Sequence, residues 1–124
     1  MKTFLCAFLG VTLTLASLPS LSMNLLRAFY DADTDELVFT IAYRGSHSEH
    51  TFAVSWETCR TKGDGRQEIF GIILDSDPKD PARMEFEKTE RVSLKSFSCR
   101  PATVIIGLAS PRYRQTLTIP ARAQ

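Results

Sequence analysis

The chain has two histidines, His47 and His50, both in the stretch Arg44-Gly45-Ser46-His47-Ser48-Glu49-His50-Thr51-Phe52. Imidazole nitrogens and carboxylate oxygens together ligate zinc and copper(II), so His47, Glu49 and His50 form a candidate metal-binding set. A spacing of three puts two side chains on one face of a helix, but in an extended strand it points them to opposite faces. Only a curled loop brings both rings to one ion, with Glu49 as the local third ligand.

Carboxylates supply the other candidate chemistry. Asp31, Asp33 and Asp35 are spaced like the first ligands of a calcium loop, but the sixth position is Glu36 rather than glycine and the twelfth is Ala42. An EF-hand is therefore excluded. Asp75, Asp77 and Asp80 form a second oxygen-rich loop, and two such loops at one end of a domain would suit weak calcium binding. Glu85 and Glu87 share one face of a strand pattern and read as a solvent-facing row. There is no Gly-x-Ser-x-Gly elbow, phosphate-cradling glycine loop or His-Glu-x-x-His helix, so no catalytic residue is assigned and the expectation is a protein that is not an enzyme.

The elements that must position these groups are strands. Period-2 alternation dominates, and no long window has the 3.6-residue period of an amphipathic helix. Leu37, Phe39, Ile41 and Tyr43 fall on one face of a strand at 37–43, and Phe52, Val54 and Trp56 on one face of a strand at 51–58. Further strands are predicted at 25–30, 68–74, 84–87, 91–94, 103–108 and 113–119. Residues 69–74 are apolar on both faces, which predicts a central strand. Turn chemistry separates these runs: Asp-Ala-Asp-Thr-Asp at 31–35, Lys-Gly-Asp-Gly at 62–65, Asp-Ser-Asp-Pro-Lys-Asp-Pro at 75–81, Arg-Pro at 100–101 and Ser-Pro at 110–111. Seven or eight short strands at this spacing predict an antiparallel β-sandwich of immunoglobulin-like architecture, with a small β-barrel as the alternative. The markers of an immunoglobulin domain proper are missing, since Trp56 precedes Cys59 and Phe97 stands two residues before Cys99.

If 37–43 and 50–56 formed a hairpin, matching the apolar faces would pair Leu37 with Trp56, Phe39 with Val54, Ile41 with Phe52 and Tyr43 with His50. His50 would then point inward beside Tyr43 as a structural pair, while His47 would sit at the tip of a loop over 44–49. Near the C-terminus, Arg112 and Arg114 share a face with Thr116 and Thr118, opposite Tyr113, Leu117 and Ile119. This pattern reads as a sheet edge whose charges guard against pairing with another chain, the alternative being an edge open to strand addition by a partner.

The remaining features set the compartment. Lys2, an apolar run at 4–18 and the small residues around Ser20 and Ser22 predict a secretory signal peptide over 1–22, removed by cleavage, and a single domain over 23–124. The apolar run is short for a bilayer span, which takes about 20 residues, so no membrane span is expected after cleavage. The mature chain would carry equal numbers of basic and acidic residues, which gives no reason to expect nucleic acid as a partner. Cys6 leaves with the signal. Cys59 and Cys99 are then an even pair in an exported chain, most simply a disulfide. The lack of an Asn-x-Ser/Thr sequon favours a bacterial source, with periplasm or medium as the destination.

The run Phe39-x-Ile41-x-Tyr43-x-Gly45, then His50-x-Phe52-x-Val54-x-Trp56-x-x-Cys59, resembles a group of small secreted bacterial proteins of unassigned function. The resemblance covers roughly half of the mature chain and implies an exported, disulfide-bearing β fold without implying an activity. In that group the loop between the Tyr-x-Gly and His-x-Phe elements often carries a cysteine, as does a later Asp-rich loop. Here His47 stands in the first place and the loop at 75–81 has no cysteine. Taken together, the sequence predicts a non-catalytic exported binding or accessory protein, an envelope interaction or inhibitor module whose partner is a protein or envelope component. The alternative is a periplasmic copper- or zinc-binding protein using the His47/His50 loop, with Met23 at the mature N-terminus as a further copper ligand.

Overall fold

The computed structural model describes residues 23–81, 84–109 and 114–122, and every regular element among them is a β-strand. In chain order these are β1 (Met23–Asp31), β2 (Glu36–Gly45), β3 (Phe52–Trp56), β4 (Arg60–Thr61), β5 (Gln67–Asp75), β6 (Met84–Ser93), β7 (Ala102–Gly107) and β8 (Arg114–Ile119). One sheet has the order β1-β2-β6. The other runs β3-β5-β7-β8, with β4 also paired to β5. Among the described residues no strand pairing joins the two sheets, so the architecture is a sandwich and not a closed barrel. Between them lies one core that includes Leu37, Phe39 and Ile41 from the first sheet and Ile69, Ile73, Val104 and Ile106 from the second.

The predicted hairpin does not form. β2 pairs with β1 and β6, whereas β3 pairs with β5 in the opposite sheet. The apolar faces that parity matched side by side instead face each other across the core, where the rings of Tyr43 and Phe52 stand 5.1 Å apart. Matching apolar faces gives the same alternation whether two strands are hydrogen-bonded neighbours or stacked layers, so the pattern alone does not choose between them. Residues 46–51 are consequently a bridge from one sheet to the other.

Three further departures from the expected pattern have identifiable causes. The segments expected at 84–87 and 91–94 are one ten-residue strand. Lys88 and Glu90, which interrupt the apolar alternation, share parity with the half-buried Phe86 and Val92. Lys88 Nζ lies 3.3 Å from Glu90 Oε1 and donates to the His50 carbonyl at 2.7 Å. Since β6 is an edge strand, inward charges at its centre discourage pairing with another chain. Second, β5 and β7 are parallel neighbours, an exception to the antiparallel expectation, because β6 between them in sequence crosses to the other sheet. Third, β3 and β4 together line one side of β5. Trp56 pairs with Gly71 and Arg60 with Glu68, so one extra residue bulges out over 57–59. That bulge contains Cys59, which is bonded to Cys99.

The end of the sandwich where β2 begins is closed by Arg100. Its guanidinium, 3% exposed, donates to both carboxylate oxygens of Asp35 at 2.8 and 3.0 Å and to the carbonyls of Leu94 and Pro120. Tyr30 Oη donates to Asp35 Oδ1 at 2.7 Å. Asp35 takes a left-handed backbone conformation, φ 53°, which a short polar side chain tolerates better than most. Asp31 accepts from the Asp33 amide and from Arg91. Asp31 and Asp35 are thus committed to arginines, and their loop lies at the opposite end of β2 from the loop of Asp75 and Asp80. This corrects the expectation of two carboxylate loops sharing one calcium site.

Hydrogen bonds from Arg100, then from Tyr30, outweigh burial and hold the Asp35 carboxyl below its usual pKa. A lowered folded pKa contributes stability above the unfolded value of about 4, and that contribution is lost as pH falls through the folded value. Arg100→Met is expected to lower Tm by roughly 10 °C at neutral pH and to flatten the acid limb of stability against pH. Urea unfolding between about pH 2 and pH 6 measures both effects. An unchanged acid limb would dissociate Asp35 from acid stability.

Candidate metal centre

At the other end of the sandwich β2 stops at Gly45, the chain crosses to β3, and β5 delivers Asp75 as its last residue, paired with Phe52. Beyond Asp75 the two chains stay joined: the Ser76 amide donates to the Thr51 carbonyl and the Thr51 amide to Ser76 Oγ, each at 2.9 Å. This connection fixes the 46–51 loop against the 76–81 loop. Ser46 closes them from the other side, its amide and hydroxyl donating to Asp80 Oδ2 at 2.7 and 2.9 Å.

His50 fills the space between, 1% exposed, with its ring 4.8 Å from that of Tyr43. Nδ1 lies 2.7 Å from Asp75 Oδ1 and Nε2 lies 2.8 Å from Asp80 Oδ2; those two side chains are 8% and 3% exposed. Each ring nitrogen thus faces a carboxylate oxygen, an arrangement complete when both donate and the ring is an imidazolium. Burial is the largest single influence on this group and lowers its pKa. The hydrogen bonds and charges of Asp80 and Asp75 together outweigh burial and raise it. Gly45 makes room for the arrangement: a Cβ there would stand 2.7 Å from His50 Nε2 and 2.9 Å from Asp80 Oδ2.

His47 completes the cluster from the solvent side. Its Nε2 is 3.6 Å from Asp77 Oδ2 and 4.0 Å from Asp80 Oδ2, and its ring lies 4.9 Å from that of His50. Nδ1 accepts from the Glu49 amide at 3.1 Å. One ligand atom from each of His47, His50, Asp77 and Asp80 falls within 4.8 Å of the others. The curled loop needed to bring both histidines together is therefore present. Glu49, expected as the third ligand, is not among the four; its side chain is exposed and its place is taken by two aspartates from a distant loop. Those aspartates were visible in sequence as an oxygen-rich loop, but only the pairing of β3 with β5 carries them to the histidines.

The other residues singled out from the sequence lie elsewhere. Met23 opens β1 opposite Tyr43 and is not one of the four clustered groups. Glu85 and Glu87 are exposed, and Glu85 pairs with Arg44 at 3.3 Å. Arg114 is exposed on β8, the outer strand of its sheet, and Arg112 falls outside the described residues. No helix among the described residues is long and apolar enough to cross a membrane. Comparison of the chain with models of protein families, with curated proteins and with solved structures gave no match.

Two imidazoles and two carboxylates form a mixed nitrogen and oxygen donor set. Such a set suits zinc or copper(II) better than calcium, which takes oxygen ligands alone. Asp75, on the far side of the His50 ring, occupies the place of the outer carboxylate that orients a metal-bound histidine through its second nitrogen.

Proposed function

We propose that the chain is an exported, non-catalytic protein that holds a divalent transition-metal ion, zinc or copper(II), between His47, His50, Asp77 and Asp80. The observation that carries this reading is the convergence of those four side chains from two loops, with Asp75 at the second nitrogen of His50. A four-ligand set is full for tetrahedral zinc, which favours storage, delivery or structural bracing over catalysis, where one position stays open. The exposed His47 gives the ion a route in and out. The Cys59–Cys99 disulfide supports an oxidising compartment. Within the group of secreted proteins that the His-x-Phe run resembles, the loop often carries a cysteine where His47 stands here, and we read the metal as tying together the loops a second cross-link would join.

Zinc and copper(II) are expected to bind the purified mature protein one to one, seen by native mass spectrometry with and without chelator. The paired change His47→Ala and Asp77→Asn removes only half-exposed ligands, so the fold should survive while affinity falls at least about 100-fold; Asp75→Asn, which leaves all four ligands, should cost about 10- to 100-fold. Metal content unchanged in the double variant, or no metal taken up by the folded parent, overturns the assignment.

A further inference from the structure

The outer face of the larger sheet carries a second surface, independent of the metal cluster. β5 presents Phe70, Ile72 and Leu74 outward, and Leu74 is 52% exposed. Ile105 of β7 extends the strip. This explains why residues 69–74 are apolar on both faces: one set enters the core, and the other has no third layer over it among the described residues. Phe70, Ile72 and Ile105 are partly exposed, so the strip is open to solvent along its length.

Its charge is specific. Arg60, from β4 on one side of β5, holds its guanidinium 5.9 Å from the centre of the Phe70 ring; Arg114, from β8 on the other side, holds its own at 5.7 Å. Arg114 reaches across β7 at Gly107, its partner in register, which has no side chain to block it. Neither guanidinium is within ion-pair distance of a carboxylate among the described residues, although Glu57 stands on the rim of the same depression of about 260 Å³. The neighbouring Glu68 is already engaged by Lys62 at 2.7 Å. Two cations therefore straddle one aromatic floor, and their complement is a pair of anions straddling one apolar group.

We propose that this face docks an extended acidic segment of a partner protein, with one apolar side chain seated on Phe70 and Ile72 and a carboxylate on each side meeting Arg60 and Arg114. In an extended chain, residues at alternate positions share a face, and carboxylates four positions apart are separated by roughly 13 Å. That span is long enough to bracket the ring.

The blocked peptide acetyl-Asp-Ser-Leu-Ser-Asp-amide tests this, titrated into the isotope-labelled mature protein and followed by NMR. Saturable shifts are expected at the Phe70 ring, the methyls of Ile72 and Ile105 and the Arg114 side chain, with affinity at least tenfold weaker in the Arg60→Ala/Arg114→Ala variant. Both arginines are exposed and outside the metal cluster, so unchanged Tm and metal uptake in that variant would exclude a folding artefact. Equal binding of the Lys-Ser-Leu-Ser-Lys or Asp-Ser-Ser-Ser-Asp counterpart would remove the charge or the apolar part of the proposal. Equal binding of benzoate would point to a small organic anion instead. Absent or scattered shifts for the acidic peptide would overturn the assignment outright.

Discussion

His50→Ala is expected to lower the stability of the metal-free protein by about 3–5 kcal/mol, the range for breaking a buried ion pair from one side. The change removes the ring that both carboxylates face and leaves Asp75 and Asp80 buried without it, at 8% and 3% exposure. Asp80 keeps its bonds from Ser46, whereas among the described residues Asp75 keeps the backbone amide of Asp77. For a domain of this size the total is of the order of 5–15 kcal/mol, so the variant would approach the limit of folding at ordinary temperature. Urea unfolding should show an earlier midpoint with an unchanged slope. Because one cation serves both carboxylates, adding Asp75→Asn to His50→Ala should cost less than the two single changes summed, by about 1–3 kcal/mol. A loss below about 1 kcal/mol for His50→Ala would mean that the ring is a neutral filler rather than a charged clamp.

Removing the disulfide is expected to act at the other end and by another route. Cys59 and Cys99 are 40 residues apart in sequence, and in the chain-entropy model a loop of that length stabilises by about 4 kcal/mol through restriction of the unfolded chain. Cys99 is 3% exposed, and the Trp56 and Phe97 rings pack 4.7 Å apart close by, so the paired change to alanine also loses some packing. The measurement is Tm of the oxidised protein against the Cys59→Ala/Cys99→Ala variant, with and without reductant. Reductant should lower the first to near the second and leave the second unmoved. Under conditions where the variant is folded, its metal affinity should match the parent's, because bond and cluster lie at opposite ends of β3. A parallel loss of metal affinity would show that the two ends are coupled.

Much of the fold was legible in the sequence because strands are written locally. Alternation located the apolar faces of β2 and β3, the doubly apolar 69–74 run marked a central strand, and compartment chemistry paired Cys59 with Cys99. Strand partnership was not legible, because parity is the same for a neighbour in one sheet and a layer opposite. That ambiguity misplaced β3 as the hairpin partner of β2. It also hid the parallel β5–β7 pair and half of the candidate metal ligands, since Asp77 and Asp80 reach the histidines only through β5. Lys88 and Glu90 disguised β6 as two short segments because charged residues on an inward face contradict the pattern being read. Glu49 looked like a ligand through proximity in sequence, yet its outward side chain leaves the position to residues some thirty places further on.

The parallel pairing of β5 with β7 also orders events in time. Once β1 to β5 have been made, β2 has β1 and β5 has β3 and β4, but the far side of β5 has no partner until β6 has crossed to the other sheet and β7 has returned. Closure of the larger sheet therefore waits for the last quarter of the chain. Non-local pairing of this kind places the domain among slow folders, in the millisecond-to-second range. Throughout that interval the open side of β5 is a hydrogen-bonding edge flanked by Phe70, Ile72 and Leu74, and it is exposed to misassembly before folding is complete.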